Sequence, residues 1–229
     1  MLDNDYIKPE ERNMYIKALQ ATKDILDKHH IHFWLDFGTL WGAIRENDIL
    51  EFDDDIDVSI WLEDAPKVAK LKKEFIKKGY NLKVNPDHLN FKIWNIKRNK
   101  KLMCILFKGK SEGYVYRIRF YPVVKPILIF NKIKGGKLLS YIYKIILKLK
   151  LDKDADVSGT LKDLGKFKKY EFYGDTYQIP EFPEHYLEWM YGDWKKVWNH
   201  KVSYTEMGKR NMRLKEVLEN GGRNCWGKK

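Results

Sequence analysis

Apolar residues recur at helical spacing near the start of the chain. Over 9–29, Tyr15, Leu19, Thr22 and Leu26 share one face with Ala18 and Ile25. Pro9, Glu10 and Glu11 stand where a helix start favours proline and acids, so the spacing predicts an amphipathic helix. The period then changes. HFWLD at 32–36 is short, aromatic and bounded by Gly38, and IDVSIW at 56–61 alternates and ends in β-formers. Both are predicted strands, with a short helix from Thr39 to Arg45 between them. Asp64 is placed to cap a further helix whose stripe is Val68, Leu71, Phe75 and Ile76 and which stops at Gly79.

Strand patterns follow around 81–84, 91–96, 101–107 and 114–122, punctuated by Asn99-Lys100-Lys101 and Lys110-Ser111-Glu112-Gly113 in the manner of hairpin turns. Consecutive short strands after a helix predict an α+β fold with a mixed or antiparallel sheet and flanking helices, not a regular doubly wound sheet. KLLSYIYKIILKLKL at 137–151 reads as an apolar helix with Lys137, Lys144 and Lys148 on one face. Such a helix either packs in a core with a solvated edge or lies on an anionic membrane surface as a peripheral contact. A looser connector, DKDADVSGT, leads to a strand near 169–173, a proline-marked turn at Ile179-Pro180-Glu181-Phe182-Pro183, and helices around 184–199 and 205–219. No repeat or internal boundary interrupts this, so the expectation is a single domain over 1–229 with a helical C-terminal part from about 180.

Composition narrows the partners. Of 229 residues 44% are hydrophobic, enough for a core; 44 basic against 32 acidic side chains give a net charge of +12. That balance suits a polyanion, whether nucleic acid, a membrane surface or a phosphorylated substrate. No RNP, helix-turn-helix or zinc-finger pattern appears, so no nucleic acid is expected. Two cysteines, Cys104 and Cys225, exclude a disulfide framework. The polar opening MLDNDYIKPEER and the lack of an apolar run of about 18–20 residues lead to an expected cytoplasmic location, peripheral at the inner membrane surface if 137–151 touches lipid.

One constellation carries chemistry. A predicted strand runs into Gly38-Thr39, and after a spacer comes Asp53-Asp54-Asp55-Ile56-Asp57. If the strand extends through the acids, Asp53, Asp55 and Asp57 project to one side. Carboxylates so close repel one another unless a cation sits among them, and hard oxygen ligands suit Mg²⁺ or Mn²⁺. Gly38 permits close backbone approach to a phosphate, the helix after it offers free N–H donors, and Arg45 supplies a guanidinium. A phosphate cradle beside an acidic cluster is the arrangement of metal-dependent phosphoryl or nucleotidyl transfer. Tyr191 and Trp194 are the aromatic candidates for stacking on a base or sugar. His29, His30 and His32 fit no common metal spacing and read as a solvated junction, and His185 and His200 read as packed residues.

These residues resemble a family. Asp36-Phe37-Gly38-Thr39-Leu40-Trp41-Gly42-Ala43-Ile44-Arg45 followed by Phe52-Asp53-Asp54-Asp55-Ile56-Asp57 is similar to the LicD/fukutin signature LDYGTLLGAxR…WDDDID, and Pro183 to Trp194 is similar to its late P-x-x-Y-x-x-L-x-x-x-YG-x-x-W stretch. The resemblance implies a nucleotidyltransferase-like fold. It also implies transfer of a phosphorylated alcohol, such as phosphocholine or ribitol phosphate, from a CDP-linked donor to a glycan or lipid-linked glycan. Carried over, Gly38 and Thr39 fall at the phosphate turn, Asp55 and Asp57 at the metal pair, Asp53 at the first acid, where it is the candidate base, and Asp36 and Arg45 at flanking polar positions. Phe52 stands in place of tryptophan, and Ile118-Arg119-Phe120-Tyr121-Pro122 puts Arg119 where the family's later strand has an acid. Arg119 therefore leaves open whether one metal or two is held. Two alternatives keep the same residues: a nucleotidyltransferase moving NMP from an NTP, and a basic binding module whose acids no longer act.

Overall fold

A 3-10 turn at Pro9–Glu11 opens into α1 (Arg12–Lys28), whose buried residues include Tyr15, Ala18, Leu19, Thr22, Ile25 and Leu26. This is the apolar face that the spacing predicts. In the computed structural model, which describes residues 7–51, 53–85, 90–111, 113–117 and 156–196, α1 is followed by β1 (Phe33–Leu35), α2 (Phe37–Glu46) and β2 (Ile56–Trp61). Then come α3 (Ala65–Ala69), α4 (Lys72–Lys77), β3 (Tyr80–Asn85), β4 (Asn90–Asn95), β5 (Lys100–Ser111) and β6 (Tyr114–Arg117). The described residues resume with β7 (Asp156–Thr160), α5 (Leu161–Leu164), β8 (Phe167–Phe172), β9 (Asp175–Pro180) and α6 (Pro183–Tyr191).

Among the described residues, seven strands form one mixed sheet in the order β1-β2-β5-β4-β3, with β6 joining β5 to β7; β8 and β9 make a separate hairpin. The fold is α+β, as expected. Only β2 and β5 run parallel among these pairs, with Asp57 opposite Cys104 and Trp61 opposite Lys108. The long β5 changes neighbours along its length. Its first half pairs with β4 and its end pairs with β6, so Lys108 lies between Trp61 on one side and Arg117 on the other.

Several local expectations change. The helix predicted from Asp64 to Gly79 is two short helices meeting at Lys70 and Leu71. Asp64 gives α3 no side-chain cap and instead pairs with Lys67 at 2.6 Å. Val68, Leu71 and Phe75 are buried, but Ile76 is 47% exposed, because adjacent helical residues point about 100° apart. Gly79, at φ +90°, ends the segment as predicted.

The predicted connector includes β7, which becomes a strand by pairing with β6. A Cβ at its Gly159 would sit 2.9 Å from the Tyr186 ring, so this position needs its bare backbone for α6 to pack. The predicted proline-marked turn begins inside β9. The hairpin turn lies earlier, at Tyr173 (φ +51°) and Gly174 (φ +76°), the positive pair of a primed turn. Helix α6 stops at Gly192 (φ +66°), short of the predicted 199. Segment 137–151 and the helix over 205–219 lie outside the described residues. Among the described residues, no helix is long and apolar enough to cross a membrane.

Candidate functional site

The ends of β1 and β2 and the start of α2 are tied together at one point. Asp36 is the N-cap of α2, and its Oδ1 accepts from Phe37 N–H at 2.8 Å. Its backbone N–H donates to Asp57 O at 3.2 Å, and Asp57 N–H donates to Thr39 Oγ1 at 2.8 Å. Thr39 is buried, and its hydroxyl thereby fixes the backbone of an acid on the neighbouring strand. A Cβ at Gly38 would lie 2.1 Å from Asp53 Oδ2. The space that glycine leaves is thus taken by the Asp53 carboxylate.

The acids group differently from the predicted alternation. Regular strand begins only at Ile56, so Asp53 to Asp55 form an irregular approach, in which Asp54 N–H donates to Asp53 Oδ1 at 3.0 Å. Two overlapping sets result. Ligating atoms of Asp53, Asp54 and Asp55 lie within 4.8 Å of one another, and so do those of Asp55, Asp57 and Cys104. Asp55 belongs to both.

Burial pushes the Asp57 carboxyl well above the usual range; Asp55 and Asp53 add to this, while Arg117 opposes it. The buried Cys104 thiol is pushed up by burial and by the charges of Asp55 and Asp57, and it donates to Asp55 Oδ2 at 3.3 Å. Lys101 Nζ stands 2.7 Å from Asp55 and 3.9 Å from Asp54. Burial, the largest single influence, lowers the Lys101 ammonium, but the charge and hydrogen bond of Asp55 together with Cys104 and Asp54 outweigh it, and Lys101 is raised overall.

Asp36 faces a different group. Its Oδ2 accepts from Ser59 Oγ at 2.6 Å and lies 3.0 Å from Lys108 Nζ, with Tyr186 OH at 3.5 Å. Lys108 and Asp36 are both fully buried, and Lys108 also donates to Ser158 Oγ at 2.8 Å. Phe37, at φ +48°, places its ring 4.2 Å from Lys108 Nζ and 5.3 Å from the Arg117 guanidinium carbon.

Arg45, seven residues beyond Gly38 and so about 10 Å along the helix, is not brought to the acids. It pairs with Glu46, donates to Lys196 O at 3.1 Å and lies over the Trp41 ring. Tyr191 stacks on that same ring at 4.9 Å, and Trp41 Nε1 donates to Trp194 O at 2.8 Å. Arg45, Tyr191 and Trp194 therefore gather where α2 meets α6. Arg119 lies outside the described residues.

The histidine junction is less solvated than expected. His29 Nε2 is 2.5 Å from Glu74, and His32 packs 4.4 Å from the Phe167 ring, where burial lowers its pKa. His185 is exposed, not packed as expected, and stacks beside the likewise exposed Phe182. His200 lies outside the described residues. Sequence reasoning missed Lys101, Cys104, Lys108 and Arg117. Each belongs to an apolar or alternating strand, and only the cross-strand register puts it near an acid.

Comparison with known proteins bears on this geometry. Residues 30–137 match the family described as LicD/FKTN/FKRP, nucleotidyltransferase domain. The chain is 31% identical over 116 residues to an uncharacterized protein of Rickettsia typhi, covering 48% of this chain and 37% of that protein. It is 29% identical over 118 residues to one of Rickettsia prowazekii, covering 48% and 44%. It is also 38% identical over 61 residues to the ribitol 5-phosphate transferase FKRP of Homo sapiens, covering 25% of this chain and 12% of that protein. The matches thus span less than half the length of these relatives. The segment 30–137, which holds the whole acidic cluster, is thus the part of the chain that is similar to the LicD/FKTN/FKRP nucleotidyltransferase domain.

Proposed function

We propose that this chain is a metal-dependent transferase that moves a phosphorylated alcohol from a CDP-linked donor to a glycan hydroxyl and releases CMP, using a nucleotidyltransferase-like fold. The observation that carries the reading is the convergence of Asp53, Asp54, Asp55 and Asp57 at the start of α2, inside the segment that matches the family. The name of the human relative, a ribitol 5-phosphate transferase, supports the substrate class.

The donor set fits a hard divalent cation. Carboxylate oxygens from Asp55 and Asp57 lie close enough to share one ion, and burial together with their crowding keeps Asp57 hard to ionise without a counter-charge. Such an ion, Mg²⁺ or Mn²⁺, neutralises charge that builds on the phosphate oxygens during transfer. The chain's own residues orient the reaction. Thr39 and the Asp36 N–H fix the Asp57 backbone, and Gly38 lets Asp53 rest against the helix start. The acceptor oxygen bonds to the phosphorus of the alcohol phosphate, the bond from that phosphorus to the bridging oxygen breaks, and CMP leaves with that oxygen. The acceptor proton passes to Asp53, a carboxylate outside the Asp55–Asp57 pair that rests against the start of α2.

The test is CMP release from CDP-ribitol, CDP-choline and CDP-glycerol with Mg²⁺ or Mn²⁺. Release that disappears in Asp55→Ala and in Asp57→Ala supports the proposal. Near wild-type release in either variant overturns the metal assignment. Pyrophosphate release from an NTP, with no CMP from any CDP-alcohol, points instead to NMP transfer.

A further inference from the structure

Arg117 is a cation that the reaction outlined above does not use. It lies at the end of β6, paired with Lys108 across the sheet. Its guanidinium carbon is 5.3 Å from the Phe37 ring at the first residue of α2, and its charge reaches both Asp57 and Lys108. The guanidinium and Lys108 Nζ both stand against the same Phe37 ring.

Among the described residues, the lysines beside the acids are already paired. Lys101 pairs with Asp55, and Lys108 is buried against Asp36 and Ser158. Arg117 differs. Among the described residues its Nε is buried and has no hydrogen-bond partner, an arrangement that few native side chains keep. Its half-buried guanidinium presents a planar fork of donors that matches phosphate oxygens two at a time.

We infer that Arg117 is the side chain that binds the donor's diphosphate, a part the motif spacing gives to Arg45. Arg45 is held at the other end of α2 by Glu46 and Lys196. An anion meets strong repulsion beside Asp55 and Asp57 unless it arrives with a divalent cation, so the ligand class is a metal-complexed diphosphate. This rests on the proposed transfer reaction, and it makes Arg117 the positive wall opposite the carboxylates.

The experiment uses three probes on the full chain: Mn²⁺ alone by electron paramagnetic resonance, and Mn²⁺ with pyrophosphate or with CDP by calorimetry. Arg117→Met is expected to weaken Mn²⁺-dependent pyrophosphate binding about tenfold or more, while Arg117→Lys loses less, as removal of one charged hydrogen-bond donor set implies. Mn²⁺ alone binds Arg117→Met at least as well as wild type, because a positive charge beside Asp57 is gone. Unchanged pyrophosphate affinity in Arg117→Met overturns the inference, even if wild type releases CMP. Parallel loss of Mn²⁺ binding in both variants also overturns it, since Arg117 then supports the acids structurally. Pyrophosphate binding that depends on Arg117 in a protein releasing no CMP from any CDP-alcohol upholds the inference and removes the transferase reading.

Discussion

Lys108 and Asp36 form an ion pair of 3.0 Å in which neither side chain reaches solvent. The pair joins β5 to the N-cap of α2, and the Ser158 contact extends it to β7. Burial pulls the lysine down while the Asp36 charge opposes that shift. Removing one partner leaves a buried charge uncompensated, so Lys108→Met should cost about 3–5 kcal/mol in urea unfolding. The double variant Lys108→Met with Asp36→Asn should cost clearly less. Equal losses in the two proteins would show that the pairing itself contributes nothing.

Asp57 sits under strain of another kind. Its folded pKa is raised above the unfolded value of about 3.9. A raised acid favours folding only while it is protonated, and the benefit is lost as pH rises through the folded pKa. In metal-free protein near neutral pH, Asp57→Asn should therefore be more stable than wild type, on the order of 1–2 kcal/mol. The advantage should shrink as pH falls toward 4, where wild-type Asp57 is protonated too. Urea titrations with a chelator at several pH values check both the sign and the window.

Gly38→Ala places a methyl group on the Asp53 carboxylate. Displacement of that carboxylate should cost about 1–3 kcal/mol and remove most CMP release. Retained activity in Gly38→Ala would mean that Asp53 can move without consequence and is not the proton acceptor.

Thr39 is expected to matter through its oxygen alone. Thr39→Val keeps the shape but leaves Asp57 N–H buried without an acceptor, a loss of about 1–3 kcal/mol. Thr39→Ser restores the acceptor and should recover most of both stability and CMP release. Equivalent behaviour of Val and Ser in urea unfolding and CMP assays would remove the hydroxyl from the account.

Local pattern makes the first half of the fold legible. IDVSIW occupies β2 over the predicted residues, and the apolar face of α1 is the one its spacing defines. Where strand identity comes from a partner, pattern is silent. β7 contains Ser158 and Gly159, poor strand formers, and depends on β6 for its state. The site divides in the same way. Gly38, Thr39 and the four aspartates stand out in one short stretch, whereas Lys108 reads as the polar end of an apolar strand until β2 and the N-cap of α2 are placed against it.

Cys104 and Asp55 touch although they are 49 positions apart in the chain. A contact of such separation carries a loop-closure cost that the intervening helices and strands must offset by finding their own places. A newly made chain in which β5 has not yet docked beside β2 holds Asp53, Asp54 and Asp55 as neighbours but lacks the pocket with Asp57 and Cys104. Capture of a divalent ion by that pocket would then mark completion of the sheet, so the finished protein alone gains the extra stability that ligand binding gives to a folded state. On the proposed function, removal of that ion would therefore lower the stability of the folded chain as well as its CMP release.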